Sequence, residues 1–124
     1  MDRHPLILDR HRAALLVIDV QERINAVMAS QDHLPRLQAL VEGCRALGVP
    51  VLATEQYPKG LGATLPEVAD HCPEGARVIA KDSFSCCGEA KFNDAVKRSG
   101  RKMLVLTGME THVCVLQTAL QLKE

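Results

Sequence analysis

Three side chains of contrasting chemistry stand where apolar runs of the sequence end. Asp19 follows Leu-Leu-Val-Ile, Lys81 follows Val-Ile-Ala, and Cys114 comes shortly after Met-Leu-Val-Leu. A thiol, an ammonium group and a carboxylate in one cleft can perform acyl transfer: the sulfur attacks, the cation favours the thiolate, and the carboxylate moves the proton. The spacing alone is not specific, because any α/β protein carries polar residues at its strand ends.

The segment around Cys114 favours a reactive thiol. Met103–Leu106 is wholly apolar, which is typical of a strand buried on both faces, and Gly108 permits a sharp turn after it. Thr111 can cap a helix in which Cys114 is the third residue, among unpaired N–H groups at the positive end of the helix dipole. That setting lowers the pKa of a thiol. The alternative is that Cys114 is a small core residue, the commonest fate of a free cysteine.

The composition restricts the classes of protein and partner. The 124 residues suit one domain, 1–124, and 47% of them are apolar, enough for a core. The net charge is zero, no apolar run reaches the length of a membrane span, and the N-terminus lacks a signal-peptide core. These features predict neither a nucleic-acid nor a membrane partner. The five cysteines form no C-x-x-C pair, so a reduced cytoplasmic protein is expected.

The elements needed to position these side chains alternate along the chain. Apolar runs near 13–20, 51–54, 77–80 and 103–106 predict four strands, and amphipathic or capped stretches predict helices near 34–47, 66–71, 89–99 and 111–122. Alternation of this kind predicts an α/β fold of three layers, with a doubly wound parallel sheet between helices. All carboxyl ends of the strands then lie at one edge, where Asp19, Lys81 and Cys114 can converge.

The motifs together resemble the isochorismatase-like cysteine hydrolases over nearly the whole chain. The matching stretches are Leu-Leu-Val-Ile-Asp-Val-Gln at 15–21, Lys81 with Phe84 three residues on, and Thr-Gly-Met-Glu-Thr-His-Val-Cys-Val at 107–115. The resemblance implies a Rossmann-like sheet of order 3-2-1-4 and a catalytic triad of Asp19, Lys81 and Cys114. It also implies a cis peptide bond between Met109 and Glu110, which would aim the N–H groups of Glu110 and Cys114 at the substrate oxygen.

Other residues around the expected site receive more modest interpretations. Gln21, Gln56, Tyr57 and Phe84 are candidates for the walls of the substrate pocket, although Phe84 can equally be a core residue. The adjacent Cys86 and Cys87 are interpreted as incidental loop thiols, and a redox role for them is weaker because a vicinal disulfide is strained.

Two departures from the family pattern bear on cofactor and assembly. Thr54-Glu55-Gln56 replaces the Asp-x-His pattern of the metal-binding nicotinamidases, so neither a metal nor another cofactor is expected. Family members usually continue for two more strands and a helix beyond the place of Glu124. Without them the fourth strand has a bare apolar edge. Either the chain is a truncated product or a partner subunit covers this edge, and a homo-oligomer is expected.

The sequence therefore supports two hypotheses. In the first, Cys114 attacks an amide or other C–N bond of a small molecule to form an acyl-enzyme, Asp19 is general acid and base, and Lys81 is their electrostatic partner. In the second, the chain is a catalytically impaired interaction module that keeps the fold.

Overall fold

The structure is a computed structural model, and it describes residues 2–123. Its centre is a sheet of four parallel strands in the order β3-β2-β1-β4. The strands β1 to β4 span Ala13–Ile18, Val51–Gln56, Arg77–Lys81 and Met103–Gly108. The predicted α/β architecture and strand order are confirmed.

Helices cover both faces of the sheet. The helices α1 to α6 span Glu22–Ala26, His33–Leu47, Pro58–Leu61, Pro66–Ala69, Ala90–Ser99 and Leu116–Lys123. α2 and α4 pack on one face, and α5 and α6 pack on the other. No helix within residues 2–123 is long and apolar enough to span a bilayer.

Strand β1 is buried along its whole length because it has a strand on either side and helices above and below. Its side chains alternate between two core clusters: Leu15 and Val17 enter the cluster under α2, and Leu16 and Ile18 enter the cluster under α5. Asp19 follows Ile18 directly, so its position at the carboxyl end of the sheet is fixed by a strand that is buried along its whole length.

Strand β4 is less buried than its sequence predicts. It pairs with β1 alone, and all six of its residues are only partly buried. The prediction that it is buried on both faces is wrong, whereas the expected bare edge is confirmed, since β1 is its only neighbour in the sheet of residues 2–123. Two cavities, of about 520 and 530 Å³, border it at Val105 and at Thr107–Gly108.

The connections after β2 and β3 also differ in detail from expectation. β2 extends two residues beyond the predicted 51–54, and α3 follows it, with Pro58 as a first residue that suits a helix start. The segment after β3 is largely irregular, as predicted, but it contains a single 3-10 turn at Cys86–Gly88. The interpretation of Cys86 as an incidental loop thiol is wrong, since it is fully buried in the core cluster under α5.

Candidate active site

The carboxylate of Asp19 lies at the carboxyl end of β1, buried and fully engaged. Its backbone has φ 56°, a left-handed conformation that is uncommon outside glycine. Oδ1 accepts a hydrogen bond from Thr54 Oγ1 at 2.8 Å, and Oδ2 accepts one from Lys81 Nζ at 3.0 Å. With 1% of its surface exposed, Asp19 is a desolvated carboxylate whose orientation is set by two donors.

Lys81 reaches Asp19 across the end of β2. It ends β3, where its register partner is Gln56, and β2 separates β3 from β1. Its extended side chain spans that gap, and Nζ donates to Asp19, to Gln56 Oε1 at 2.6 Å and to the carbonyls of Ser83 and Phe84 at 2.9 and 3.1 Å. An ammonium group has three protons, so four acceptors use all of its donor capacity. Lys81 therefore acts on its surroundings as a fixed, buried positive charge.

Cys114 lies in a short helical segment shortly after β4. Thr111–Val115 forms a π-helical turn that leads into α6, and Cys114 is 4% exposed. The expected Thr111 cap is wrong, because Thr111 is already helical and Glu110 takes the cap position without a side-chain bond. Helical turns of this wide form occur often at functional sites.

The peptide bond between Met109 and Glu110 is trans. The described residues contain no cis peptide bond, so the expected one is wrong. The chain instead reverses through Glu110 itself, which has the left-handed angles φ 61° and ψ 61°. The Glu110 N–H has no hydrogen-bond acceptor within residues 2–123, and it remains a candidate donor to a substrate oxygen.

The thiol of Cys114 is protonated at rest. Burial is the largest cause of a pKa raised to about 12, and the nearby carboxylates of Asp19 and Glu110 act in the same direction. The Lys81 charge lowers the pKa but is outweighed. The argument that the helix dipole produces a resting thiolate is therefore wrong, since desolvation is the larger effect here. Within residues 2–123, no hydrogen bond joins Cys114 Sγ to the Asp19 carboxylate, although the carboxylate is near enough to raise the pKa of the thiol.

Two of the four residues proposed for the pocket walls form hydrogen bonds within the protein. Gln21 is buried, and its side chain joins the backbone at Gln56 and Gly62 through three hydrogen bonds of 2.7 to 3.0 Å. The Gln56 side chain accepts from Lys81 and donates to the Asp82 carbonyl at 3.0 Å. Gln21 and Gln56 thus hold the ends of β1, β2 and β3 together.

The two aromatic candidates are exposed beside Lys81. Tyr57 donates its N–H to the Lys81 carbonyl at 2.9 Å, and the Phe84 carbonyl accepts from Nζ. Their side chains are 55% and 58% exposed, so Phe84 is not the core residue that its type allowed. Both rings are exposed to solvent and can contact a ligand near Lys81.

Two threonines at the site have no equivalent among the predicted residues. Thr54, on β2, orients Asp19, and Thr118, on α6, bonds the Cys114 carbonyl at 2.7 Å. Both are completely or nearly completely buried. In the sequence, the role of Thr54 is indicated only by its place directly before the polar end of β2. The role of Thr118 is indicated only by its spacing of four residues from Cys114, which is one helical turn.

Metal ligation is not favoured by the described residues, which contain no group of three His, Cys, Asp or Glu side chains suited to a metal ion. The carboxylate of Glu55 accepts hydrogen bonds from the Thr64 N–H and hydroxyl at 2.6 and 2.8 Å.

Comparison with known proteins decides the family. The isochorismatase domain model matches residues 13–124. The chain belongs to the isochorismatase family. The resemblance inferred from the three motifs is confirmed, and the strands that carry Asp19, Lys81 and Cys114 all lie inside the matched region.

Individual relatives agree with this assignment. Isochorismatase domain-containing protein 1 of Salmo salar is 42% identical over 106 residues, 84% of this chain and 36% of the relative. MAR1 ribonuclease from Caenorhabditis elegans has a TM-score of 0.84 and 33% identity, covering 94% of this chain and 59% of that one. The YcaC gene product of Escherichia coli, described as an octameric hydrolase of unknown specificity, has a TM-score of 0.87 and 25% identity, covering 98% and 62%. The chain spans about a third to three fifths of the length of these relatives.

Proposed function

We propose that the protein is a cysteine hydrolase that cleaves an amide or other C–N bond of a small molecule, with Cys114 as nucleophile. The observation that supports the proposal is the buried ion pair of Asp19 and Lys81, 3.0 Å apart, near a thiol whose pKa the Asp19 carboxylate raises. A carboxylate in this environment costs the fold desolvation energy, and groups of this kind concentrate at functional sites.

The reaction begins from the protonated thiol. As the sulfur of Cys114 bonds to the substrate carbonyl carbon, its proton passes to Asp19, and the backbone N–H of Glu110, with that of Cys114, stabilises the oxyanion. The C–N bond then breaks, and Asp19 returns the proton to the departing amine. A water molecule next attacks the thioester and gives a proton to Asp19, which restores the thiol and releases the acid. Lys81 holds the Asp19 side chain in position during these steps.

Acetyl transfer from p-nitrophenyl acetate tests the nucleophile. The wild-type protein is expected to carry one acetyl group on Cys114 early in the reaction, seen by peptide mass spectrometry, while p-nitrophenolate leaves. Asp19→Asn removes the base, and acetylation of Cys114 should slow by about 100-fold. Cys87→Ala, at a partly exposed thiol outside the triad, is the control and should react like the wild type. Acetylation of Cys114 no faster than that of Cys44 would contradict the proposal.

The raised pKa of Cys114 predicts an unusual pH dependence of alkylation. Only the thiolate reacts with iodoacetamide, and below a pKa of about 12 its fraction increases about tenfold per pH unit. Alkylation of Cys114 should therefore keep rising from pH 7 to pH 10, whereas N-acetylcysteine levels off near its own pKa. A plateau below pH 9 for Cys114 in the folded protein would show that the thiol is not held protonated.

Asp19→Asn is expected to separate the two labelling reactions. Loss of the carboxylate removes a cause of the raised pKa of Cys114, so alkylation by iodoacetamide should become faster at pH 8. Acetylation, which needs the base, should become slower.

The hydrolase proposal leaves the substrate to be determined by experiment. The relative from Caenorhabditis elegans is named a ribonuclease and the one from Escherichia coli a hydrolase. A net charge of zero gives no electrostatic attraction for a polyanion, which favours a small molecule over RNA. A screen of small amides beside a labelled RNA distinguishes these substrates.

Assembly into a homo-oligomer is the second proposal, and it applies whether or not the site is active. It is supported by the edge position of β4 and by Leu116 and Leu120 of α6, which are 49% and 60% exposed. The relative from Escherichia coli is octameric.

A cytoplasmic location is a separate proposal, and it is supported by the free thiols of all five cysteines.

Leu120→Glu is expected to weaken that assembly. A buried leucine contributes about 1.5–3 kcal/mol, so the dissociation constant in analytical ultracentrifugation should rise at least about tenfold. Leu6→Glu, at an exposed leucine near the N-terminus, should leave it unchanged. A wild-type protein that sediments as a monomer at every concentration would refute the proposal.

A further inference from the structure

A single buried hydroxyl joins the nucleophile's turn to the segment after β3. The Thr118 hydroxyl donates to the Cys114 carbonyl at 2.7 Å and accepts from the Cys86 N–H at 2.9 Å. A threonine often bonds the carbonyl four residues earlier in its own helix. The second bond is different, because it fixes α6 to a separate segment of the chain.

The same segment is connected to the carboxylate. The Cys86 thiol lies 3.7 Å from Thr54 Oγ1, and Thr54 Oγ1 lies 2.8 Å from Asp19 Oδ1. An ionised carboxylate can only accept, so the Thr54 hydroxyl donates to Asp19 and must accept from the Cys86 thiol. The direction of every hydrogen bond in this series is therefore determined.

The side chains of the network are buried, and each is hydrogen-bonded. Thr118 and Cys86 are fully buried, Thr54 is 1% exposed, and Cys86 and Cys114 belong to the same apolar cluster. No buried side-chain nitrogen or oxygen within residues 2–123 lacks a partner. A buried hydrogen-bond network of this kind can hold two reacting groups at a fixed separation.

We propose that Thr118 is a positioning residue which, through Cys86 and Thr54, sets the separation between the Cys114 thiol and the Asp19 carboxylate. This inference rests on the proposed acyl transfer at Cys114. Proton transfer needs the sulfur and the carboxylate oxygen within hydrogen-bonding range, and a displacement of about 1 Å can cost about 100-fold in rate. A loss of this kind affects the reaction that uses Asp19 and spares a reaction that does not.

Thr118→Val tests the proposal because it removes the hydroxyl and keeps the side-chain shape. Acetylation of Cys114 by p-nitrophenyl acetate should slow by about tenfold. Alkylation by iodoacetamide at pH 10, where hydroxide removes the proton, should not slow. Thr118→Ser restores the hydroxyl and should return acetylation to within about twofold of the wild type. The titratable or charged groups that act on Cys114 are Asp19, Lys81 and Glu110, and all three are unchanged in these variants.

A merely structural role for Thr118 gives a different result. Loosening of α6 would expose Cys114, so both labelling rates would rise together, or both would stay as in the wild type while the urea midpoint falls. Either result overturns the proposal. A wild-type protein whose Cys114 is not acetylated at all refutes the proposed function itself, and the inference with it.

Cys86→Ala provides a second test if Thr118→Val does not fold. It removes the thiol that donates to Thr54 and keeps the N–H that donates to Thr118. Acetylation of Cys114 should slow by about threefold, with alkylation at pH 10 not slowed. An unchanged ratio of the two rates in Cys86→Ala overturns the proposal as well.

Discussion

Lys81→Met is expected to cost about 3–5 kcal/mol of unfolding free energy, measured from urea denaturation, because it leaves the Asp19 carboxylate buried without its cation. Both side chains of the pair are at most 1% exposed, so water cannot replace the ammonium group. The Gln56 side chain and two backbone carbonyls lose the same donor. The variant should also acetylate Cys114 more slowly, and its alkylation should slow because the Lys81 charge lowers the pKa of that thiol.

A double-mutant cycle separates the ion pair from the rest of this loss. Asp19→Asn with Lys81→Met removes both charges, so its loss should be smaller than the sum of the two single losses by about 2 kcal/mol. Lys102→Met, at an exposed lysine, is the control and should change stability by less than about 0.5 kcal/mol. Additive losses in the cycle would mean that the two charges do not stabilise each other.

Gly108→Ala is expected to cost about 3 kcal/mol or more, because this glycine is in contact with the backbone of β1. Its φ of 155° is rarely adopted by residues with a side chain, and a Cβ would collide with the Ile18 carbonyl oxygen. That oxygen accepts the Met109 N–H at 3.0 Å, next to Asp19 and just before the turn that carries Cys114. The substitution should therefore reduce the acetylation of Cys114 as well as the urea midpoint.

Gly43→Ala is the matched control for that substitution. Gly43 lies inside α2, and a Cβ there would meet no atom within 4 Å. Alanine is the better helix former by about 1 kcal/mol, so this variant should be more stable than the wild type. Equal losses for both alanine variants would show that the contact with Ile18 is not what makes Gly108 necessary.

Much of the fold follows from local sequence patterns. The run from Ala13 is buried along its length, as an unbroken apolar stretch predicts, and Gly48 ends α2 at φ 71°, as the Gly and the following Pro50 indicate. The burial of β4 was not predictable from its own residues, because it depends on whether a neighbouring strand is present.

The sequence names residues for the candidate site but does not specify the contacts and electrostatics around them. Asp19 and Lys81 meet because the lysine side chain is long enough to cross β2, a distance that the sequence does not specify. The protonation state of Cys114 depends on the balance between desolvation, one cation and two carboxylates, and only coordinates give that balance. Thr118 and Cys86 meet across 32 positions of the chain, a pairing that no local pattern encodes.

The four acceptors around the Lys81 nitrogen have a consequence for motion. Ser83 and Phe84 are bonded to the atom that neutralises Asp19, so the segment after β3 cannot swing outward without loosening that ion pair. Opening of this segment and the ion pair are thermodynamically linked: a molecule that displaces Phe84 would also weaken the contact between Lys81 and Asp19.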